Sequence, residues 1–301
     1  IPIQLPENLP TPNDKSFWIS PKIVLDPTKE INMTLPASDF MATLKEIAPL
    51  ELAEEWDNVG LILEGPPKTP IAKILLCIDL THPVIDEAIA QNVNAIIAYQ
   101  PPIFGGLKRL TRRSPSQNLL IRLIEAGITV WSPHTALDAA KDGLGDWLLN
   151  AFGEFKESSV IQACAADPEN QSVGMGRQGR LSNPRSLNAL ADEIKSYLGL
   201  THVRIASAAR HTEGAPIKRV AVCPGAGGSL FSNVRHVDLL LTGEMRHHDI
   251  LSRISNGTSV ILTDHTNTER GFLPILAERL GKSFDIPIIV SEVDADPLQV
   301  S

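Results

Sequence analysis

Residues 73–99, KILLCIDLTHPVIDEAIAQNVNAIIAY, read as strand, helix, strand, and that reading decides the fold class. KILLCIDL is an apolar run of strand length. Val84, Ile85, Ala88 and Ile89 follow at helical spacing, and AIIAY is a second apolar run. Apolar strands alternating with helices are the signature of an α/β protein, whose chemistry gathers at strand ends. The pattern extends in both directions. Upstream, Ser38 is placed as the N-cap of a helix carrying Phe40, Met41, Leu44 and Ile47, which Pro49 stops; LILEG then reads as a strand. Downstream, Ser114 and Pro115 open a helix with Leu119, Leu120, Leu123 and Ile124 on one face and Gly127 at its end. The strand ITVWS leads from there into His134.

The second half repeats the theme. VGMGRQGRL reads as a strand; Asn183 and Pro184 open a helix with Leu187, Leu190, Ala191, Ile194 and Leu198, ended by Gly199. HVRIAS, IKRVAVC, HVDLLLTGE, TSVILTDH and IPIIVSEVD read as further strands. The expected architecture is two similar α/β lobes with mixed sheets around a central cleft. Residues 1–36, rich in Pro and polar groups, read as a flexible leader outside the fold argument; its acidic residues and lack of arginine speak against a mitochondrial transit peptide. The first lobe is assigned to 37–155 and the second to 156–301, with the final strand region free to return to the first.

Composition narrows the function classes. With 43% hydrophobic and 21% charged residues, the 301-residue chain has the balance of an ordinary globular protein. A formal net charge of -8 argues against broad nucleic-acid binding, which rewards a basic surface. No run approaches the roughly 20 apolar residues of a membrane span, so the expected location is the cytoplasm, with nucleus or mitochondrion as alternatives. Cys77, Cys164 and Cys223 are odd in number and form no CxxC, which suits buried thiols in a reducing compartment rather than a nucleophile.

Two short strings offer the same pair of groups. SPHTALD supplies His134 and Asp138, and TDHTNTE supplies His265 and Glu269. Imidazole and carboxylate four residues apart, each pair at the end of an apolar run, suit a divalent metal such as Zn, Mn or Fe, and carboxylates can bridge two ions. The bland alternative is that both histidines cap strands and turns. Pro274 leaves two geometries open: a kinked helix from Asn267 that holds His265 and Glu269 on one face, or a helix from near Pro274 that leaves them in a loop. Lys108, Arg109, Arg112 and Arg113 form the densest basic cluster, of which Lys108 and Arg109 are the candidates for holding a phosphate. GAGGS, residues 225–229, offers an anion cradle or a plain tight turn, the latter being favoured. Trp131 and Trp147 read as core anchors.

Seven segments in order, EEWDNVGLILEG, AYQPPIFGGLKRLT, SPHTALDAAKDGLGDWL, VGMGRQGRL, VAVCPGAGGS, LLTGEMRHHDIL and DHTNTERGF, are similar to the signature segments of the NGG-one-interacting-factor-three (Nif-three-like) family. That family is also catalogued as homologues of the type-two GTP cyclohydrolase I. The resemblance runs from about Leu35 to the end. It implies a two-lobe α/β subunit assembled as a toroidal homohexamer, or a smaller homo-oligomer, with a two-metal site in an interior cleft. By the same resemblance Asp138 and Glu269 are bridging ligands, His265 is a ligand, and His134 belongs to the cluster. Glu244, His247 and His248 match a segment beside the site and are the candidates for catalytic proton transfer.

One position departs from that pattern. Where many relatives place two histidines, this chain has Tyr99 and Gln100. Glutamine offers a neutral amide oxygen, a poorer donor than imidazole to transition metals, so Gln100 as a ligand implies a remodelled site. Such a site holds one ion, holds ions weakly, favours a harder metal, or is empty. Two functions follow from the resemblance: a metal-dependent hydrolase acting on a nucleotide-like small molecule, and an interaction protein associated with a transcriptional coactivator.

Overall fold

Helix α1 (Ala37–Ile47) follows a short bridge of Leu35 to Ile71 in a computed structural model that describes residues 34–298; residues 1–33 of the leader and the last three residues lie outside it. β1 (Gly60–Leu63) follows, then the alternation β2 (Ile74–Cys77), α2 (His82–Ala90), β3 (Ala95–Ala98), α3 (Pro115–Ala126) and β4 (Thr129–Ser132). α4 (His134–Ala139) and α5 (Leu144–Asn150) lead to two long antiparallel strands, β5 (Phe155–Ala163) and β6 (Gly174–Arg185). After α6 (Leu187–Leu198) the chain runs β7 (Arg204–Ala206), α7 (Ala209–Thr212), β8 (Ile217–Cys223), α8 (Gly228–Phe231), β9 (Leu239–Thr242), α9 (His247–Ser255) and β10 (Ser259–Leu262). Two 3-10 turns, α10 (Leu273–Gly281) and β11 (Ile288–Val290) complete the order.

The strands form two mixed sheets, ordered β1-β4-β3-β2-β11 and β5-β6-β8-β9-β10-β7. Each contains a parallel trio, β2-β3-β4 and β8-β9-β10, with an antiparallel strand, β1 or β7, beside its third member. Helices connect the trios in the same places. The two halves therefore share a topology that residue identities do not reveal. In register, Cys77 lies opposite Ala98 and Cys223 opposite Thr242, so the next residues, Tyr99-Gln100 and Gly243-Glu244, hold equivalent places. His134 begins two residues beyond β4 and His265 three beyond β10, so the two His-acid strings sit at matching strand ends.

Alternation along the strands sorts side chains to two faces. Leu75, Cys77 and Ile96 pack outward under Val84, Ile85 and Leu123 of α2 and α3. Ile74, Leu76 and Ile97 point inward and join Val220, Val222 and Leu241 of the other sheet in one apolar cluster. α1, α5, α6 and α10 fill that cluster with Phe40, Trp147, Leu190 and Leu276. Trp131 is fully buried there and Trp147 nearly so, which is what their anchoring role required.

Some elements differ from the sequence reading. β5 carries no strand pattern in the sequence, because an edge strand with a single fully buried residue has little apolar alternation to show. Asn183 and Pro184 do not open a helix: β6 runs on to Arg185, and Ser186 caps α6 by accepting a hydrogen bond from Ala189 N at 3.2 Å. Pro184 is tolerated where the register of β6 against β8 shifts. Among the described residues no helix is long and apolar enough to cross a membrane.

Candidate functional site

His134 enters α4 with φ +28°, a left-handed conformation held by neighbours. Its Nδ1 donates to Asp57 Oδ1 at 2.8 Å, while Thr135 N donates to Asp57 Oδ2 at 3.1 Å. Burial alone would raise the Asp57 carboxyl, but the hydrogen bonds from His134 and Thr135 hold it below its ordinary value. Asp57, in the WDN string, thus fixes the start of α4 and the imidazole on it. Tyr99 and Trp56 meet that imidazole edge-on, at centroid distances of 5.6 and 6.2 Å.

One turn further along α4, Asp138 is buried and accepts a 2.6 Å hydrogen bond from the Tyr99 hydroxyl. Burial pushes its carboxyl up to about 6, against the pull of Tyr99, His134 and Arg177. Burial and the adjacent acids likewise push the Tyr99 phenol well above its usual value, so Tyr99 is a donor and not a phenolate. From the other half, Glu269 is 1% exposed and accepts from Gln100 Nε2 at 3.3 and 3.4 Å. Burial first, and then the charge of Asp138, raise Glu269 well above the carboxylate range. Two adjacent residues at the end of β3 therefore each serve one acid, one from each half of the molecule.

Of the geometries left open by Pro274, the structure takes the second: α10 starts at Leu273, and His265 and Glu269 lie in and beside 3-10 turns. His265 Nδ1 lies 3.2 Å from Glu244 Oε1, and its Nε2 lies 3.4 Å from Glu269 Oε1. Gly225 passes directly over this group with φ +58°; a Cβ there would stand 2.7 Å from His265 Nε2 and 3.1 Å from Glu269 Oε1. Only glycine fits. The N–H groups of Gly225 and Gly227 donate to the hydroxyls of Thr268 and Thr242, so two of the donors of the GAGGS turn are already taken.

A cavity of about 240 Å³ opens beside this centre, lined by Asp79, Gln100, Glu244, His265, Thr266 and Asp296 among others. Gln100 and His265 separate it from Glu269. Asp79 and Asp296 had no place in the sequence reading. They are drawn in when the tail returns beside β2, where Asp294 accepts from Ile78 N at 2.6 Å and pairs with Arg270 at 2.5 Å. Arg177, within the VGMGRQGRL string, was also without a role. It is buried, pairs with Asp146 at 2.5 Å and donates to the carbonyls of Ala139 and Ala140, which end α4.

Other candidates lie elsewhere. His247 and His248 are exposed on the first turn of α9, rings 5.5 Å apart, and do not line the cavity. Lys108 and Arg109 line a second cavity, described below, that shares no lining residue with the first.

The sequence profile of Duf34/NIF3 (NGG1p interacting factor 3) matches residues 35–297. The chain belongs to the NIF3 family. Protein NIF3 homolog of Schizosaccharomyces pombe is 41% identical over 272 residues, covering 87% of this chain and 97% of that protein. NGG1-interacting factor 3 of Saccharomyces cerevisiae is 35% identical over 276 residues, covering 87% and 96%. Among solved structures, a Bacillus cereus protein related to NIF3 superposes with TM-score 0.76 at 19% identity, covering 89% of this chain and all of that one, a likeness of fold alone.

Whether this NIF3-family chain's residues suit the metal pair implied by the resemblance is a question of where their lone pairs point. Asp138 is engaged by Tyr99 and Glu269 by Gln100, whereas the bond of His134 Nδ1 to Asp57 leaves Nε2 free among the described residues, as in a metal-ligating histidine. As arranged they do not assemble a metal cage: among the described residues no three His, Cys, Asp or Glu side chains stand together at ion-holding spacing.

Proposed function

We propose that this NIF3-family chain acts as an interaction protein in transcriptional regulation, and that its central acids are satisfied by the chain's own donors. The observation that carries this reading is the pair of contacts from adjacent residues, Tyr99 to Asp138 and Gln100 to Glu269. They use phenol and amide where a metal would need free carboxylate and imidazole. The name of the yeast relative, an NGG1-interacting factor, supports a protein partner of this kind. We further propose that the chain works as a homo-oligomer, hexameric or smaller, in the cytoplasm or nucleus. Purification without chelator, elemental analysis, and binding of purified NGG1 protein with and without EDTA form the test. Metal-free protein that binds NGG1 equally in both conditions is the expected result; one or two tightly held ions per subunit and EDTA-sensitive binding would overturn it.

A second reading, a divalent-metal-dependent hydrolase resembling the type-two GTP cyclohydrolase I, is favoured by one observation. Asp138 and Glu269 are both buried, and the arginines whose charge reaches them, Arg177 and Arg270, are paired with Asp146 and Asp294. Two buried acids short of positive charge attract a cation. On this reading Asp138, Glu269, His265, His134 and Gln100 are the ligands, and Glu244, which lines the cavity, is the group placed for proton transfer, a role that the exposed His247 and His248 are not positioned to share. Turnover of a nucleotide panel with added Mn or Zn, lost in Glu269→Ala, would establish it.

A further inference from the structure

Away from the acid centre, a groove of about 360 Å³ runs between α3 and the loop that follows β3. Its floor and walls are Leu63, Ile103, Leu107, Leu110, Leu120 and Ile124. Three of these remain open to solvent: Leu107 at 48%, Leu110 at 42% and Ile124 at 51%. On the same loop Phe104 is exposed and meets the exposed Trp56 ring at 5.9 Å, which extends the apolar surface. Scattered apolar side chains on a surface need no explanation, but a contiguous set lining a groove does.

The only charged groups lining the groove are cations, Lys108 and Arg109. Neither makes an ion pair with any described residue, whereas their neighbour Arg112 is held by Glu125. In a chain of net charge -8 this is a local reversal of sign laid against leucine and isoleucine. A free phosphate would gain from the two cations and nothing from the six apolar walls. An amphipathic helix gains from both, because anchors at i, i+3 or i+4, and i+7 fill an apolar groove while acids on the flanking turns reach the rim.

We infer that this groove docks an acidic amphipathic helix of a partner protein, with Leu107 and Ile124 as the apolar contacts and Lys108 and Arg109 as the rim that selects negative charge. The inference rests on the interaction reading above and supplies its surface. It also explains why the cations at 108 and 109 sit apart from the acid centre.

The test uses the full chain and a fluorescein-labelled helical peptide of about 15 residues, leucines at i, i+4 and i+7 with glutamates on the flanks, beside a control with lysines for the glutamates. Anisotropy should report binding of the glutamate peptide, weakened by salt, and not of the lysine peptide. Leu107→Asp with Ile124→Asp should lower the affinity at least about tenfold, and Lys108→Glu with Arg109→Glu should reverse the preference between the peptides. Equal binding of both peptides, or indifference to the four substitutions, would overturn the assignment. So would a fall in oligomer size of the Leu107→Asp, Ile124→Asp protein by light scattering, since the face would then cover a second copy. The two readings fail separately. NGG1 binding that persists in all four substitutions removes this surface and leaves the interaction function standing; peptide binding by a protein that ignores NGG1 does the reverse.

Discussion

Tyr99 and Gln100 are where this chain's chemistry turns. Replacing both with histidine removes the phenol from Asp138 and the amide from Glu269 and restores nitrogen donors beside two acids and His265. Tyr99→His with Gln100→His is therefore expected to bind Zn or Mn more tightly than the parent in calorimetric titration; a folded double variant with unchanged affinity would show that these positions do not control the site. Tyr99→Phe tests the opposite direction. It leaves a buried carboxyl oxygen of Asp138 without its donor, which should cost about 1–3 kcal/mol in denaturant unfolding. His211 sets a pH response of its own. His211 Nδ1 lies 2.7 Å from Ser259 Oγ, which also accepts from Ala208 N, and its buried Nε2 has no hydrogen-bond partner among the described residues, so a proton added to the ring would be buried without an acceptor. Burial, helped by Arg210, lowers its pKa. The unfolded chain then takes the proton first, so this stability is present above about pH 6.5 and is lost as pH falls through the lower folded value. Thermal unfolding of His211→Gln should depend less on pH in that range than the parent; parallel curves would contradict the assignment.

At the scale of elements, the reading of period and punctuation held where an element's own residues decide its form. α2, α3 and α6 lie over their apolar stripes, and Gly127 and Gly199 end α3 and α6 at φ +67° and +69°. It did not hold for β5, whose strand state comes from pairing with β6, nor at Pro184, where the register shift against β8 decides. Arg177 ties β6 to the end of α4 and is the element-scale support for Asp138. Arg177→Ala should cost about 1–3 kcal/mol, because it removes the buried guanidinium that pairs with Asp146 and leaves the Ala139 carbonyl at the end of α4 without its donor. Urea denaturation measures this, and a loss below 1 kcal/mol would mean that solvent replaces the guanidinium.

Across the whole molecule, the inner faces of both sheets share one apolar cluster with α1, α5, α6 and α10. Residues 34–298 should therefore unfold in a single cooperative transition, with tryptophan fluorescence and far-ultraviolet dichroism coincident. Two separated transitions would mean that the sheets belong to independent lobes. β11 completes the first sheet from the far end of the chain, and Asp294 beyond it closes on Ile78 N and Arg270.

The α/β class, the paired His-acid strings and the family were legible in the residues alone, because period, punctuation and seven ordered motifs are properties of short stretches. Which acid meets which donor was not. Asp138 and Tyr99 are 39 residues apart and Gln100 and Glu269 are 169 apart, and their contacts exist only because two parallel trios end side by side over a common core. Tertiary packing also decided that Asp57 holds His134, that Gly225 must lack a side chain, and that the cations at 108 and 109 face an apolar groove rather than the acids. A ligand-like motif names groups; the direction of their lone pairs is set by what folds against them.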